Sequence, residues 1–389
     1  MPRILFITSK PYYPWEGACH RIRHNLEALI ASGHSVDLLT IPVGTPPHVA
    51  GVNTLSVPHV PFCRRLPEGP SARRFVLDTL ILFKAVYLAT RNPYALIHGS
   101  DDGGVIAWIA SRLTKTPYIF ERHSEHVHGR VRGVRHLFLG FYRMLERQAL
   151  KHADAVIGND NSVISLLALF NRRSRACVIP DIPAVTEEVS LPARNLAQAR
   201  YRTQPDQKLV TCVGSFTRFE GLDLFFNALP HVLAAAPLTR FVVVGGDEAE
   251  ISRMRKALAK AGIEHATTFP GRVPPDELAA LFAISDVLVS PRRAGTTAPI
   301  KVLDYLHSGT PVVAADTTAN RAVLSSDNAI LTRPTPQALA DGILKITRSP
   351  HISAELAQQG RETLRRENRT PEAFRAALNH CYAYVIATP

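Results

Sequence analysis

The residues of this 389-residue chain that could do chemistry gather in a few short stretches. In "CVGSFTRFEGLDLFFNALPHVL" (212–233) an apolar strand runs into Gly214 and Ser215, a short loop follows, and Gly221 opens a helix. Glycines at a strand-to-helix turn leave backbone amides free to hold a phosphate, and Arg218 in mid-loop adds a cation for the same anion. The spacing is neither G-x-G-x-x-G nor a Walker A loop, which argues against a nicotinamide site or a P-loop. A plain strand-to-helix turn is the other reading of the glycines alone. "VVVGGDEAE" (242–250) repeats the pattern, its strand ending on Gly245 and Gly246. In "PIKVLDYLHSGTPVV" (299–313) Lys301 falls in the first turn of a helix, where the helix dipole disfavours a cation. Asp304 lies three residues on, along the same side.

Other chemistries are poorly supported. The densest histidine cluster, "RHSEHVHG" (122–129), lacks H-E-x-x-H or comparable spacing, so no metal is expected. Cys19, Cys63, Cys177, Cys212 and Cys381 are scattered, odd in number and never C-x-x-C. That favours a reducing compartment over a disulfide framework or a zinc site. The net charge is +12 and lopsided: residues 1–185 carry 22 Lys/Arg against 13 Asp/Glu. A basic first half suits a polyanion, an anionic membrane face or a phosphorylated ligand; solvated basic faces are the plainer alternative. In "HGRVRGVRHLFLGFYRMLERQALKH" (128–152), Arg130, Arg132, Arg135, Arg143 and Arg147 alternate with Leu and Phe. This pattern suits peripheral contact with an anionic membrane, and equally a helix with a solvated basic face. Its aromatics recur at helical spacing, which argues against stacking on nucleic acid, and no nucleic-acid partner is expected. No run reaches the roughly 18–20 apolar residues of a membrane span, and the first strand has no charged lead or cleavage site. A cytoplasmic location is expected, at most peripheral on the inner face of the plasma membrane.

These residues need a scaffold, and the chain supplies a repeated one. Short apolar runs such as "RILFITS", "LIHGS", "PYIFER", "KLVTCVGS", "FVVVGG", "DVLVSP" and "PVVAAD" alternate with helical patterns such as "RIRHNLEALIASG" and "DELAALFAIS". Continuous apolar strands in βαβ order predict parallel sheets covered on both faces. The length argues for two domains. The expected division is an N-terminal Rossmann-like domain over 1–190, a linker over 191–207, within a stretch from about 179 that reads as linker plus a short helix, and a C-terminal Rossmann-like domain over 208–370. A helix over 371–389 would pack back. Two such α/β domains would hold a ligand in a central cleft at the carboxyl ends of their strands.

The order of the parts from 208 to 345 resembles the donor-binding domain of GT-B glycosyltransferases, specifically the retaining family 4 (glycosyl transferases group 1). The resemblance rests on "VGS…EGLDLFFNAL", "FPGRVPPDELAALFAISDVLVSP" and "LDYLHSGTPVVAAD". The opening "FITSKPYYPWEGACHRIRHNLEALIASGHSVDLLT" and the middle "LIHGSDDGGVIAWIASRLTKTPYIFERH" resemble the family's first half. That resemblance implies roles for particular residues. Asp304, where the family usually has Glu, would bind the ribose of a nucleotide diphosphate sugar, and the backbone at Gly271, Arg272 and Val273 would frame the base. Loop 214–221 would hold the diphosphate, and Gly295–Pro299, with Thr296, Thr297 and Ala298, would face the sugar. His123 in "FERHSEH" would lie near the reacting sugar, and Gly17 would approach donor or acceptor without a Cβ. The family's usual phosphate-binding Arg and Lys fall at Ser215 and Glu220, its first Glu at Thr296, and an acid common in a later loop at Ala322. A "P-x-K-x-x-(D/E)" subgroup is closer, and in it cationic duty would pass to Lys301 and Arg218.

The implied reaction is sugar transfer with retention to a glycan, lipid-linked or small-molecule acceptor. It would use no cofactor and no metal, with cations and amides aimed at the leaving diphosphate. A nucleotide-sugar epimerase of similar outline and a degenerate, non-catalytic nucleotide-sugar-binding subunit remain as alternatives.

Overall fold

The computed structural model describes residues 2–13, 17–63, 66, 71–123, 134–170, 175–202, 204–295 and 298–387. The chain divides into two compact units, residues 1–181 with 371–389, and residues 182–370.

The first unit is built on strands β1 (Arg3–Thr8), β2 (Ser35–Thr40), β3 (Val52–Ser56), β4 (Leu96–Ser100), β5 (Tyr118–Arg122), β6 (Ala155–Gly158) and β7 (Arg175–Val178). They form one parallel sheet in the order β3-β2-β1-β4-β5-β6-β7. Its helices are α1 (Gly17–Ala31), α2 (Ala72–Arg91), α3 (Gly103–Thr114), α4 (Val134–His152) and α5 (Ser162–Phe170). Helices α2 to α5 pack in sequence and share one apolar core with the sheet, including Leu77, Ile81, Ala107, Ala149 and Val163. The C-terminal helix, Pro371–Ala387, belongs to this unit and packs on α1.

The second unit begins at Ile182, so the boundary falls nine residues before the sequence-based estimate. The stretch expected as a linker contains helix α6 (Leu191–Tyr201), capped by Ser190 and packed on a later helix of the same unit through Ala197 and Tyr201. Its charges and prolines belong to a surface helix with one narrow apolar edge. The sheet strands are β8 (Lys208–Val213), β9 (Thr239–Val244), β10 (Thr267–Gly271), β11 (Val287–Ser290), β12 (Val312–Ala315) and β13 (Ile330–Thr332), all parallel in the order β10-β9-β8-β11-β12-β13. Helices α7 (Leu222–Ala235), α8 (Glu248–Lys260), α9 (Pro275–Ile284), α10 (Ile300–Ser308), α11 (Thr318–Arg321), α12 (Pro336–Arg348) and α13 (Pro350–Arg366) connect and cover them. The C-terminal helix is therefore α14. The inner strands are buried almost throughout because both sheet faces are covered, which is why they read as unbroken apolar runs, whereas the edge strands β3, β7, β10 and β13 are only partly buried.

Each sheet reverses direction once in its strand order: between β1 and β4 in the first unit, and between β8 and β11 in the second. At such a reversal the loops after the two strands leave in opposite directions and open a crevice at the carboxyl ends. A cluster of charged side chains stands at each of the two reversals.

One expectation about cysteine is corrected. Cys177 on β7 and Cys381 on α14 are joined as a disulfide, and Cys19, Cys63 and Cys212 are buried thiols outside any disulfide. The two bonded residues are 204 positions apart, and sequence spacing alone gives no sign that the fold brings them together. No helix among the described residues is long and apolar enough to cross a membrane.

Candidate functional site

In the second unit the loop after β8 turns through a short 3-10 segment, Arg218–Glu220, into α7. Gly221 makes that turn at φ 71°, and a Cβ there would fall 2.0 Å from the Pro291 carbonyl oxygen, on the loop that follows β11. Only glycine lets the two loops of the reversal meet this closely. Gly245, at φ 116°, similarly lies against the Gly214 carbonyl, where a Cβ would stand 2.1 Å away. Backbone bonds lace the strand ends together: Gly214 N–H donates to Val244 O at 3.0 Å, and Gly245 N–H donates to Gly271 O at 2.8 Å.

Lys301 reaches into this floor from the first turn of α10. Its ammonium donates to Val213 O at 2.7 Å and pairs with Glu220. Arg292, from the β11 loop, reaches the other Glu220 oxygen at 3.3 Å. Gly214 leaves the space beside them, since a Cβ there would lie 3.1 Å from Glu220 Oε2 and 3.3 Å from Lys301 Nζ. Two cations thus share one buried carboxylate. The lysine that looks misplaced on the helix dipole is compensated by a carboxylate and a strand-end carbonyl rather than standing as a free cation.

The other residues singled out from the sequence divide. Arg218 is exposed and forms no ion pair among the described residues. Ser215 is exposed and its hydroxyl exchanges a 2.8 Å hydrogen bond with that of Thr217. The Asp304 carboxylate accepts from the Ala184 N–H at 2.5 Å, which ties α10 to the first residues of its own unit. Arg272 is exposed just beyond β10, whereas Val273 is buried with Leu281 and Val244, leaving only its backbone for a ligand. Ala298 is half-buried against the core beneath α10. Thr296 and Thr297 lie outside the described residues, as does most of the basic stretch before α4. Gly17 opens α1.

The first unit holds a second cluster, and sequence reasoning found only one of its members. Lys10 follows β1 and Asp101 follows β4, so their 2.5 Å ion pair spans the reversal. Asp101 is a non-glycine residue at φ 50°, a strained conformation. It is held there by Lys10, by the His123 N–H at 3.0 Å and by its own N–H donating to Glu121 O at 2.8 Å. His123, just past β5, donates from Nδ1 to Asp101 at 3.0 Å, and its Nε2 lies 3.1 Å from Glu121 Oε1. That second approach is misaligned, so Nε2 has no hydrogen-bond partner among the described residues.

Burial opposes charge on His123, but Glu121 and Asp101 outweigh it and raise its pKa to about 9. Burial likewise works against ionised Asp101 and Glu121. Lys10 and His123 nonetheless hold Asp101 far below the usual range, and His123 and Arg21 do the same for Glu121. At neutral pH His123 is therefore an imidazolium with an unused N–H. It can donate a hydrogen bond or a charge, and it cannot act as a general base. Glu121 and Asp101 escaped sequence reasoning although both carry a signal: an acid inside the apolar run "YIFER", and "SDDGG" at a strand end.

The comparisons with known proteins fit this frame. Residues 207–349 match the model described as "Glycosyl transferases group 1", and residues 16–181 match that of the "Glycosyl transferase 4-like domain". The chain belongs to the group 1 glycosyl transferases. Among curated members, the phosphatidyl-myo-inositol mannosyltransferase of Mycobacterium leprae is 29% identical over 150 residues, which is 38% of this chain and 39% of that protein. The chain thus matches about two-fifths of that relative's length. Among solved structures, sucrose-phosphate synthase from Thermosynechococcus elongatus superposes with a TM-score of 0.77 at 22% identity over the full length of both chains. Anabaena HepE, solved in complex with UDP-glucose, gives 0.70 at 16% identity over 97% of this chain and 98% of its own. These likenesses establish the GT-B fold of two parallel-sheet units for this group 1 glycosyl transferase.

Proposed function

We infer that this group 1 glycosyl transferase moves a sugar from a nucleoside diphosphate sugar to a glycan, lipid-linked or small-molecule acceptor, with retention at the anomeric carbon. The observation that carries this reading is the Lys301–Glu220–Arg292 cluster on a glycine floor at the β8/β11 reversal. There, two cations with one carboxylate leave a net positive charge beside the backbone amides of loop 214–221. In this reading those amides, Lys301 and the exposed Arg218 meet the diphosphate. Asp304 takes the ribose hydroxyls, the backbone of Arg272 and Val273 flanks the base, and Thr296, Thr297 and Ala298 face the sugar. Gly17 gives close approach to the donor or acceptor.

The bond from the anomeric carbon to the phosphate oxygen breaks, and the acceptor oxygen bonds that carbon from the same face. The leaving phosphate oxygen takes the acceptor proton, so no protein base is required. Protonated His123 suits this scheme as a donor to sugar or leaving-group oxygen. No cofactor or metal enters the scheme.

A binding-only role has one observation in its favour: Glu220 already neutralises one of the two cations. Calorimetry and turnover with UDP-, GDP- and ADP-sugars, comparing wild type with Lys301→Ala, separate the readings. Transfer or slow donor hydrolysis that collapses in the variant supports the enzyme; tight binding with neither reaction supports the binding subunit.

A peripheral place on an anionic bilayer fits the first unit. On α4 the apolar Phe141 and Met144 are exposed beside exposed Arg143 and Arg147, and on α2 Phe75, Phe83 and Tyr87 are exposed as well. Co-sedimentation with phosphatidylglycerol vesicles but not phosphatidylcholine vesicles is the expected result.

A further inference from the structure

Glu121 lies on β5 with almost no solvent exposure, and it gathers donors from three elements. From α1, Arg21 Nε donates to Oε1 at 2.9 Å and Asn25 Nδ2 donates to Oε2 at 2.7 Å. From β4, His98 Nε2 lies 3.0 Å from Oε2. The other ring nitrogen of His98, Nδ1, is 2.5 Å from the hydroxyl of Tyr382 on α14. Burial lowers the pKa of His98 and raises that of Tyr382, so the ring is neutral and the phenol keeps its proton. The donors then run one way: Tyr382 O–H to His98 Nδ1, His98 Nε2–H to Glu121. A second contact from the same helix supports the other arm, because the Arg21 guanidinium sits 4.6 Å from the centroid of Phe374. Tyr382 is also the residue next to Cys381, whose disulfide fixes α14 to β7.

We propose that Tyr382, His98 and Glu121 are positioning residues for His123, so that the C-terminal helix, more than 240 residues away in sequence, sets the orientation of the imidazolium. This rests on the transferase reading for the importance of His123, but its geometry does not depend on it. A buried ring can be held in one orientation only if the groups facing it are themselves held. The charged or titratable groups around His123 are Asp101 and Glu121 in contact, with Lys10, Arg21 and His98 behind them. Asp181 backs Arg21 in turn. Of the two groups in contact with His123, Glu121 is the one backed from α14, through Tyr382 on His98 and Phe374 on Arg21.

The test uses the full chain and three variants: Tyr382→Phe, which removes one hydroxyl and keeps the ring, His98→Phe and Glu121→Gln. The first readout is the imidazole nitrogen spectrum of His123 and His98 against pH, which needs no substrate. Glu121→Gln is expected to lower the titration of His123 by about 1–3 pH units, the ordinary effect of removing an adjacent opposite charge. Tyr382→Phe is expected to leave His123 charged, to alter the His98 tautomer signal and to shift the ring resonances of His123. The second readout is donor turnover. Tyr382→Phe and His98→Phe should lower kcat by about 3–10-fold with KM for the donor unchanged, the pattern of a group needed in the transition state only. If Tyr382→Phe folds and His98 and His123 keep their wild-type resonances, the relay is wrong. The same holds if all three variants lose only thermal stability. If the resonances move as expected while wild type turns over no nucleotide sugar, the relay stands and the transferase reading fails.

Discussion

The two units present the same topological device and fill it differently. In each, a charged side chain after the first strand of the sheet pairs across the reversal with one from the opposite loop: Lys10 with Asp101 in the first unit, Glu220 with Arg292 in the second. In the first unit the carboxylates around His123 are buried and multiply bonded, and the imidazolium keeps its charge to about two pH units above neutrality. In the second unit one loop carboxylate serves two cations beside exposed Ser215 and Arg218. Carboxylates that each gather several donors hold a charge in place, whereas a carboxylate shared by two cations leaves positive charge for something else to satisfy. The first arrangement suits a residue that must be oriented, and the second a ligand that must be attracted.

The largest expected effect breaks the second half of this comparison. Lys301→Ala removes the cation that Glu220 and the Val213 carbonyl hold at the floor, and leaves Glu220 with Arg292 alone. Turnover of the nucleotide sugar should fall by about 10²–10³-fold, comparable to loss of one preorganised donor to a developing charge. Steady-state kinetics checks this, and a variant within twofold of wild type would remove Lys301 from the phosphate role.

The next effect bears on what holds α14 beside the first cluster. Cys177→Ser should cost the first unit about 2–4 kcal/mol by releasing the unfolded chain from a very long closed loop. Non-reducing calorimetry should show the loss, and adding a dithiol should bring wild type down to the variant. Equal melting of both proteins without reductant would mean that the bond does not form in solution.

Much of this comparison was legible in the sequence, and its gaps have physical causes. The strands that are buried on both faces announced themselves as apolar runs. β3 did not: it is an edge strand paired only with β2, and three of its five residues are exposed. The glycines at 221 and 245 were legible because a close backbone approach leaves glycine no substitute. The partners of Lys301 and His123 were not, because an ion pair between residues 81 positions apart, or a relay 284 positions long, leaves no local period to read. Arg21 illustrates the limit. In "RIRHNLEALIASG" it reads as a solvated helix residue, yet it is almost wholly buried on Glu121.

A smaller effect sharpens the first half. Asp78 on α2 is pushed up to about 7 by burial first and by neighbouring Asp102 next. Since its folded pKa lies above its unfolded one, the neutral carboxyl contributes stability that is fully present below about pH 4 and lost as pH rises through 7. Asp78→Asn should therefore melt with wild type at low pH. At pH 8 it should melt higher, by about 1–2 kcal/mol, or a few degrees for a unit of this size. A difference that grows towards acid would reverse the sign and place a charged Asp78 in the folded network.

The smallest effect separates the two clusters most sharply. Glu220→Gln keeps the side-chain shape and the contact to Lys301 but removes the negative charge between two cations. If the second cluster exists to attract an anion, the net charge rises by one and a nucleoside diphosphate should bind about 3–10-fold more tightly, an effect that shrinks as salt is raised. The matching change in the first unit, Glu121→Gln, is expected to loosen its network, because there the carboxylate holds the cation and its supporting donors in place. Titration calorimetry with a nucleoside diphosphate at low and high salt reads the difference directly. Weaker binding by Glu220→Gln at low salt would make Glu220 a clamp for Lys301, and the two units would then be organised alike.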